Sequence, residues 1–262
     1  MAKILSQNYS YANNSSGDLI NVSTAQRNEK YFCPICGELM NPHMGKVRRW
    51  HFAHKNVGNC SYESYLHKLA KIRISQAFLS SEHFLLSYNA KAICSYECPF
   101  VDSPKCVGEK HVEFDLRRYY DTCVIEATYH QYRADLLLTS STNPKTPPIL
   151  IEIMVTHKCT KDKINEGVRI IEIPIQSEEQ IDNIVSNCTL TGVRGEYCNY
   201  NYSNDRNITL YNFNKVESFD PIGRFDGYEE CLDRKNTIVF WLNRQGQFRS
   251  FDCYCYEVSK ML

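Results

Sequence analysis

The chain lacks any long apolar run; no hydrophobic stretch approaches the ~20 residues that cross a bilayer, which excludes a membrane-spanning reading. It also lacks a surplus of either charge, with 30 Lys+Arg against 30 Asp+Glu in 262 residues. Without a global basic field, any nucleic-acid partner has to be met by a local patch. Its first residues, MAKILSQNYSYANNSSGD, turn polar too early for a signal peptide, so a soluble, cytoplasmic protein is expected. Low-complexity tracts and internal repeats are missing as well. Histidine is sparse, and none follows His157. The 43% hydrophobic content is enough for one main domain with a smaller module attached.

Cysteine, by contrast, is plentiful, at 13 residues. A reducing compartment disfavours disulfides, so clustered cysteines there read as metal ligands. Residues 33–60 follow C-x2-C-x14-H-x2-H-x5-C. Zinc takes four soft or borderline ligands in a tetrahedron, and C-x2-C on a tight turn, here followed by Gly37, aims two thiolates at one centre. Cys33 and Cys36 supply the first pair. The second comes from His54 and Cys60, with His51 the alternative, because Trp50-His51-Phe52 has the look of a packing strand. Cys94, Cys98, Cys106 and His111 form a looser group, either a second zinc site or buried thiols acting as small hydrophobes. The expected cofactor is thus structural zinc, one ion or two.

The pattern along the chain suggests three segments. Residues 1–60 combine a β-hairpin (Tyr9–Ala12 and Leu19–Val22 around an Asn/Ser/Gly turn) with the Cys/His module. In 61–187 a helix N-capped by Ser61 buries Leu66, Leu69, Ala70, Ala77 and Phe78; after it come the strand-like runs HVEFDLRR, CVIEATY, YRADLLLT, ILIEIMVT and RIIEIPI, with a Cys-rich insertion at 94–111. One short helix, KDKINEGV, separates the last two strands as a crossover, which indicates an α/β fold with a mixed sheet core. Residues 188–262 are β-rich and aromatic, with a hairpin expected around 243–246.

Strand parity isolates two acids. Along 149–155 the odd positions Ile149, Ile151, Ile153 and Val155 make a core face, while Glu152 interrupts the even face. Asp135 interrupts YRADLLLT in the same manner. Carboxylates brought together on paired strands repel unless a cation neutralises them, and Mg²⁺ or Mn²⁺ suits hard oxygen ligands. The bland alternative is that each acid pairs with a lysine or arginine.

Taken in order, Cys33-Pro34-x-Cys36, His51-Phe52-x-His54, Cys60, Glu63-Ser64-x-x-His67-Lys68, Arg133-x-Asp135 and Ile151-Glu152-Ile153-x-Val155-Thr156-His157 resemble the competence-protein CoiA-like family over roughly residues 8–175. The resemblance implies a zinc-finger module followed by a restriction-endonuclease-like, PD-(D/E)XK nuclease domain. It further implies Mg²⁺ or Mn²⁺ held by Asp135, Glu152 and the backbone carbonyl of Ile153, with Glu63 holding a metal-bound water. His157 would carry a proton or contact phosphate. The family's lysine two residues after the glutamate is Met154 here, and a thioether cannot position water. Lys158, by parity, and Lys161 and Lys163, on the crossover helix, are the candidate substitutes.

Two function classes follow. One is a metal-dependent nuclease acting on DNA in uptake, processing or defence against foreign DNA. The other is a catalytically weak nuclease-fold protein that binds nucleic acid or assembles a complex. Both expect phosphate contacts from Lys46, Arg48, Arg49, Lys68, Lys71 and Arg73. The C-terminal region would suit a protein partner or self-association.

Overall fold

The computed structural model describes residues 9–56, 60–94, 107–194 and 208–213, together with five further short strands between 217 and 252. At the N-terminus, β1 (Tyr11–Asn13), β2 (Leu19–Asn21), β3 (Tyr31–Phe32), β4 (Leu39–His43) and β5 (His51–His54) form an antiparallel sheet in the order β2-β1-β3-β4-β5. Gly17, at φ +89, closes the expected first hairpin, where a side chain would be strained.

Helix α1 (Tyr62–Ser80) follows directly. Ser61 caps it as expected: its Oγ accepts from the Ser64 N–H. The buried face carries Tyr65, Leu66, Leu69, Ala70, Ile74, Ala77 and Phe78, the helical spacing that the sequence shows.

The large mixed sheet contains β6 (Leu85–Cys94), β7 (Val107–Asp115), β8 (Thr122–Ile125), β11 (Leu136–Thr139), β12 (Ile149–Met154), β13 (Arg169–Pro174), β14 (Thr189–Arg194), β15 (Ile208–Tyr211) and β16 (Glu217–Phe219). A small hairpin, β9 (Thr128–Tyr129) with β10 (Tyr132–Arg133), stands off between β8 and β11. Helix α2 (Lys161–Asn165) is the crossover between the parallel strands β12 and β13, and α3 (Glu178–Asn187) leads into β14. The architecture is therefore mixed α/β with few helices and a small N-terminal Cys/His module. Strands 238–242 and 248–252 pair antiparallel, as a hairpin around 243–246 requires, although the turn residues lie outside the described ones.

Two of the expected strands are interrupted. CVIEATY breaks at Glu126, whose φ of 54 lies in the left-handed region. YRADLLLT breaks at Asp135, and β11 begins one residue later. In place of a ladder partner at that point, the Ile153 N–H donates to Asp135 Oδ2 at 2.8 Å.

β12 is buried on both faces. Ile149, Ile151 and Ile153 join the core that contains α1, while Leu150 packs with Ala134, Leu137 and Ile170 on the α2 side. The same α1 core takes in Tyr9, Tyr11, Tyr31, Met40 and Phe52, so the N-terminal sheet and the large sheet share one continuous cluster. Glu178, itself buried, fastens the two by accepting from Tyr65 Oη at 2.6 Å and from the Ser10 N–H at 2.9 Å. A buried acceptor that loses a donor carries its desolvation cost uncompensated. We therefore expect Tyr65→Phe to lower stability by about 1–3 kcal/mol in urea denaturation. A loss within error would show that this bond does not fasten the sheets.

Candidate functional site

Cys33, Cys36, His54 and Cys60 come together with all four ligand atoms within 4.8 Å of one another. The turn Cys33–Cys36 is closed by Gly37, whose φ of +71 suits glycine, and its N–H donates to the Cys33 carbonyl. The Ile35 N–H points at Cys33 Sγ, a donor that favours thiolate. His54 ends β5, and Cys60 immediately precedes the α1 cap. Cys33 Sγ and Cys60 Sγ are 3.6 Å apart, and Cys36 Sγ and His54 Nε2 are 3.4 Å apart. A tetrahedron with Zn–S near 2.3 Å and Zn–N near 2.0–2.1 Å has edges of about 3.8 Å (S–S) and about 3.6 Å (S–N). The observed edges fit, and the cluster can hold a metal such as zinc.

His51 is the histidine left over: its ring stacks on that of His43 with centroids 5.0 Å apart, away from the thiols. Burial pushes the Cys60 thiol up to about 12, with the neighbouring Cys33 sulfur adding to it, and burial raises Cys33 too. Cys98 and Cys106 of the second group lie outside the described residues. His111 instead contacts Ser87 Oγ and Asn89 Oδ1, each at 3.3 Å, on the neighbouring strand β6.

A cleft of about 370 Å³ opens beside this module, between α1 and the end of β12. Ile35 from the Cys33–Cys36 turn lines it, together with Glu63, His67 and Lys68 of α1 and with Thr156 and His157. Glu63 accepts a short hydrogen bond from Thr156 Oγ1 across the cleft. Asp135 lies behind this lining, held by His67 and Lys71, which both line the cleft. Oδ2 faces His67 Nε2 at 3.1 Å, and Oδ1 faces Lys71 Nζ at 3.4 Å. Burial opposes ionisation of Asp135, but the His67 hydrogen bond, the Ile153 N–H and the charges of His67 and Lys71 outweigh it and hold the carboxyl below its usual range. A carboxylate only accepts, so His67 carries its proton on Nε2.

Glu152 follows on β12 just past the last paired residue of the β11–β12 ladder, near enough to Asp135 for the two carboxylates to repel. Lys163 Nζ is 2.7 Å from Glu152 Oε1, and it donates to the Arg133 carbonyl at 2.8 Å. The approach to Oε1 is off the directions of a hydrogen bond, which leaves that buried oxygen ion-paired without a directed donor. Burial raises the Glu152 carboxyl above its ordinary value; Lys163 pulls it back, and Asp135 adds repulsion.

Several expected roles are redistributed. Lys71 does not face nucleic acid: at 4% exposure it is buried and pairs with Glu126 Oε1 at 2.8 Å as well as with Asp135. Arg73 is likewise internal, paired with Asp182 and lying 4.6 Å over the Tyr11 ring. Both project from the packed side of α1, which contiguous sequence does not reveal. Lys158 lies exposed beyond a bend at 155–156 that ends β12, so the strand does not carry it back to Glu152; among the lysines considered, Lys163 makes that contact. Lys161 opens α2 in an exposed position, and Met154 sits half-buried at the strand end.

Two acids stand out that the sequence reading passed over. Glu126 is held by Lys71 and Arg133. Glu172, in register with Glu152 on β13 and only 2% exposed, accepts from the Cys159 N–H. The in-register Glu152/Glu172 pair was available from aligning ILIEIM with RIIEIP; nothing in the periodicity marks Glu126. Among the described residues the thiol/imidazole cluster is the one such group of ligand atoms, and Glu63, Asp135 and Glu152 do not form a second. Among the described residues no helix is long and apolar enough to cross a membrane.

The N-terminal unit is a small β module built around a Cys₃His cluster. Residues 18–63 match the family model of the competence protein CoiA N-terminal domain, so this unit of the chain is similar to that domain. No curated protein and no solved structure matches the chain significantly.

Metal binding at the cluster has to release the thiol protons, since thiolates are the ligands. With burial raising the Cys33 and Cys60 thiols, the apparent zinc affinity should rise with pH, by about one power of ten per unit for each thiol proton that binding releases, and fall equally on acidification. Competition with a chelator at several pH values checks this. Cys36→Ala should lose the metal and melt at lower temperature; retained stoichiometric metal would rule out the assigned ligand set.

Proposed function

We propose that the chain is a metal-dependent nuclease that hydrolyses phosphodiester bonds in DNA, in a competence-related process of uptake or processing, with structural zinc in the Cys₃His cluster. The observation that carries this reading is the meeting of Asp135 and Glu152 at the paired ends of β11 and β12, with a lysine brought to each. The CoiA N-terminal domain ahead of it supports the competence connection.

The donor chemistry fits a hard divalent ion. Asp135 and Glu152 offer carboxylate oxygens, and Glu152 Oε1 is buried without a directed hydrogen bond. The Ile153 carbonyl points to the same side of β12 as its N–H, towards Asp135 and past the first residue of β11. Asp135, Glu152 and the Ile153 carbonyl would hold Mg²⁺ or Mn²⁺. When bound, such an ion lowers the pKa of water and stabilises charge on phosphate.

The remaining work falls to the chain. Lys163 takes the role left open by Met154, supplied from the crossover helix rather than from the strand, and neutralises Glu152. His67, oriented through Nε2 by Asp135, and His157 stand at the cleft as proton carriers. Glu63 and Thr156 close the cleft's far wall, and Lys68 faces it as a phosphate contact. Lys71 fixes Asp135 from below and excludes water there.

A second reading, a nucleic-acid-binding or assembly subunit without chemistry, is favoured by one observation: both carboxylates already have protein cations, which a metal would have to displace. An assay of Mg²⁺- and Mn²⁺-dependent cleavage on single- and double-stranded DNA and RNA separates the two. We expect cleavage by the wild type, a loss of at least 100-fold in Asp135→Asn and Glu152→Gln, and a loss of about 10²–10³-fold in Lys163→Met, in line with removal of one preorganised charged group. Metal-dependent cleavage that survives Glu152→Gln would overturn the site. Intact binding with no cleavage would select the second reading.

A further inference from the structure

From Leu39 to Tyr62 the chain has no Asp or Glu, yet it carries Lys46, Arg48, Arg49 and Lys55. In a chain with no net charge this is a local excess of four positive charges. The excess is concentrated on the loop that joins β4 to β5. Among the described residues Lys46 and Arg48 pair with no acid, so no described carboxylate offsets the loop's self-repulsion.

The loop is nonetheless held in shape. Arg27 Nη2 donates to the Met44 carbonyl at 3.0 Å, and Trp50 Nε1 donates to the Gly45 carbonyl at 3.0 Å. At its root the His43 and His51 rings stack at 7° across the two strands. Val47 stands 97% exposed at the tip. Alongside runs a groove of about 820 Å³ lined by Arg27, Asn41, His43, Lys46, Arg48 and His51, with no carboxylate on its walls. A braced, acid-free row of cations beside an exposed apolar tip matches a phosphate backbone with its alternating anionic and sugar surfaces.

We propose that the β4–β5 hairpin is a second nucleic-acid contact, a basic wing that grips the phosphate backbone of double-stranded DNA outside the catalytic cleft. This rests on the nuclease reading for the identity of the ligand. A duplex suits it better than a single strand. Unpaired bases need successive aromatic platforms, whereas here Trp50 is tied to its own loop and the two imidazoles stack on each other. The wing and the cleft are linked by the Cys₃His module, whose Ile35 forms part of the cleft wall.

The test uses the full zinc-loaded chain and fluorescence anisotropy with a labelled 20-base-pair duplex at several KCl concentrations, without added divalent metal. K46A/R48A should weaken duplex binding at least tenfold at 0.1 M KCl. It should also reduce the slope of log K against log[KCl] by about 1.8, at ~0.9 per phosphate contact. Zinc content and melting temperature should stay unchanged, since both side chains lie outside the core. K145A, which removes an exposed lysine before β12 at the end remote from the site, should leave affinity within twofold of wild type. An unchanged affinity and slope in K46A/R48A would overturn the wing, as would absence of duplex binding by the wild type. Polyglutamate binding with the same sensitivity to K46A/R48A would overturn it in favour of an acidic protein partner. The two proposals fail separately: cleavage with K46A/R48A binding normally sinks only the wing, whereas duplex binding lost in K46A/R48A without any cleavage by the wild type sinks only the nuclease.

Discussion

The Asp135 carboxylate is the point at which three parts of the molecule are tied together. One oxygen takes the Ile153 N–H, so it ends the β11–β12 ladder by substituting for a strand partner. The same oxygen receives His67, and the other receives Lys71, which brings α1 down on the sheet. Lys71 in turn holds Glu126, the residue whose left-handed backbone turns the chain out of β8. A half-buried carboxylate is costly unless several donors converge on it. Here they come from a strand and a helix, so the cleft exists only where both are correctly placed. The lowered pKa of Asp135 is the electrostatic expression of that convergence.

The Cys₃His cluster acts on the same helix from its other end. Cys60 is followed at once by the Ser61 cap, and Glu63, His67 and Lys71 follow at helical spacing on one side of α1. Tyr9 packs edge-on against His54 at 5.2 Å and against Tyr65 at 4.7 Å, so a ligand of the cluster and the first turns of α1 share an aromatic contact. Ile35 reaches from the Cys33–Cys36 turn into the cleft wall. A metal that fixes this turn therefore also fixes the start of the helix that supplies half the cleft. That arrangement gives a physical reason for the Cys₃His module to precede this sheet, beyond simple attachment.

Much of this was legible beforehand because its signals are local. The C-x2-C turn with Gly37, the Ser61 cap, the apolar spacing of α1 and the alternation in ILIEIM each depend on a few consecutive residues, and each appears in the structure. What was not legible depends on pairing at a distance. Lys71 and Arg73 look like surface cations because nothing in KLAKIRIS says which side of α1 meets Asp135 and Asp182. The break at Glu126 looks like strand because its β-branched neighbours are good strand formers, and only the Asp135 contacts force the turn. His51 and His54, three residues apart and so of opposite parity on β5, were separable only in part; the stack on His43 shows that His51 is not the ligand.

Met154 shows how far a missing motif residue can mislead. Read along the strand, its thioether removes the cation that the pattern requires next to Glu152. Read across the fold, a lysine reaches Glu152 from α2, because a crossover between parallel strands must return over the sheet face and brings Lys163 against it. Gly167, at φ +75, lets the chain leave α2 within one turn, and Asn212 Nδ2 holds the turn by donating to the Ile164 and Val168 carbonyls. The lysine is therefore positioned by backbone constraints at three separate places, and its burial follows from them. With Glu172 in register beside Glu152, that face carries two buried acids near one buried lysine, and the raised Glu152 carboxyl follows from burial with too little compensating charge. A face built only for packing would carry aliphatic residues at 152 and 172, as Leu150 and Ile170 of the same face do. Retaining two acids and importing a lysine costs stability, and the proposed chemistry at Glu152 is what would offset that cost.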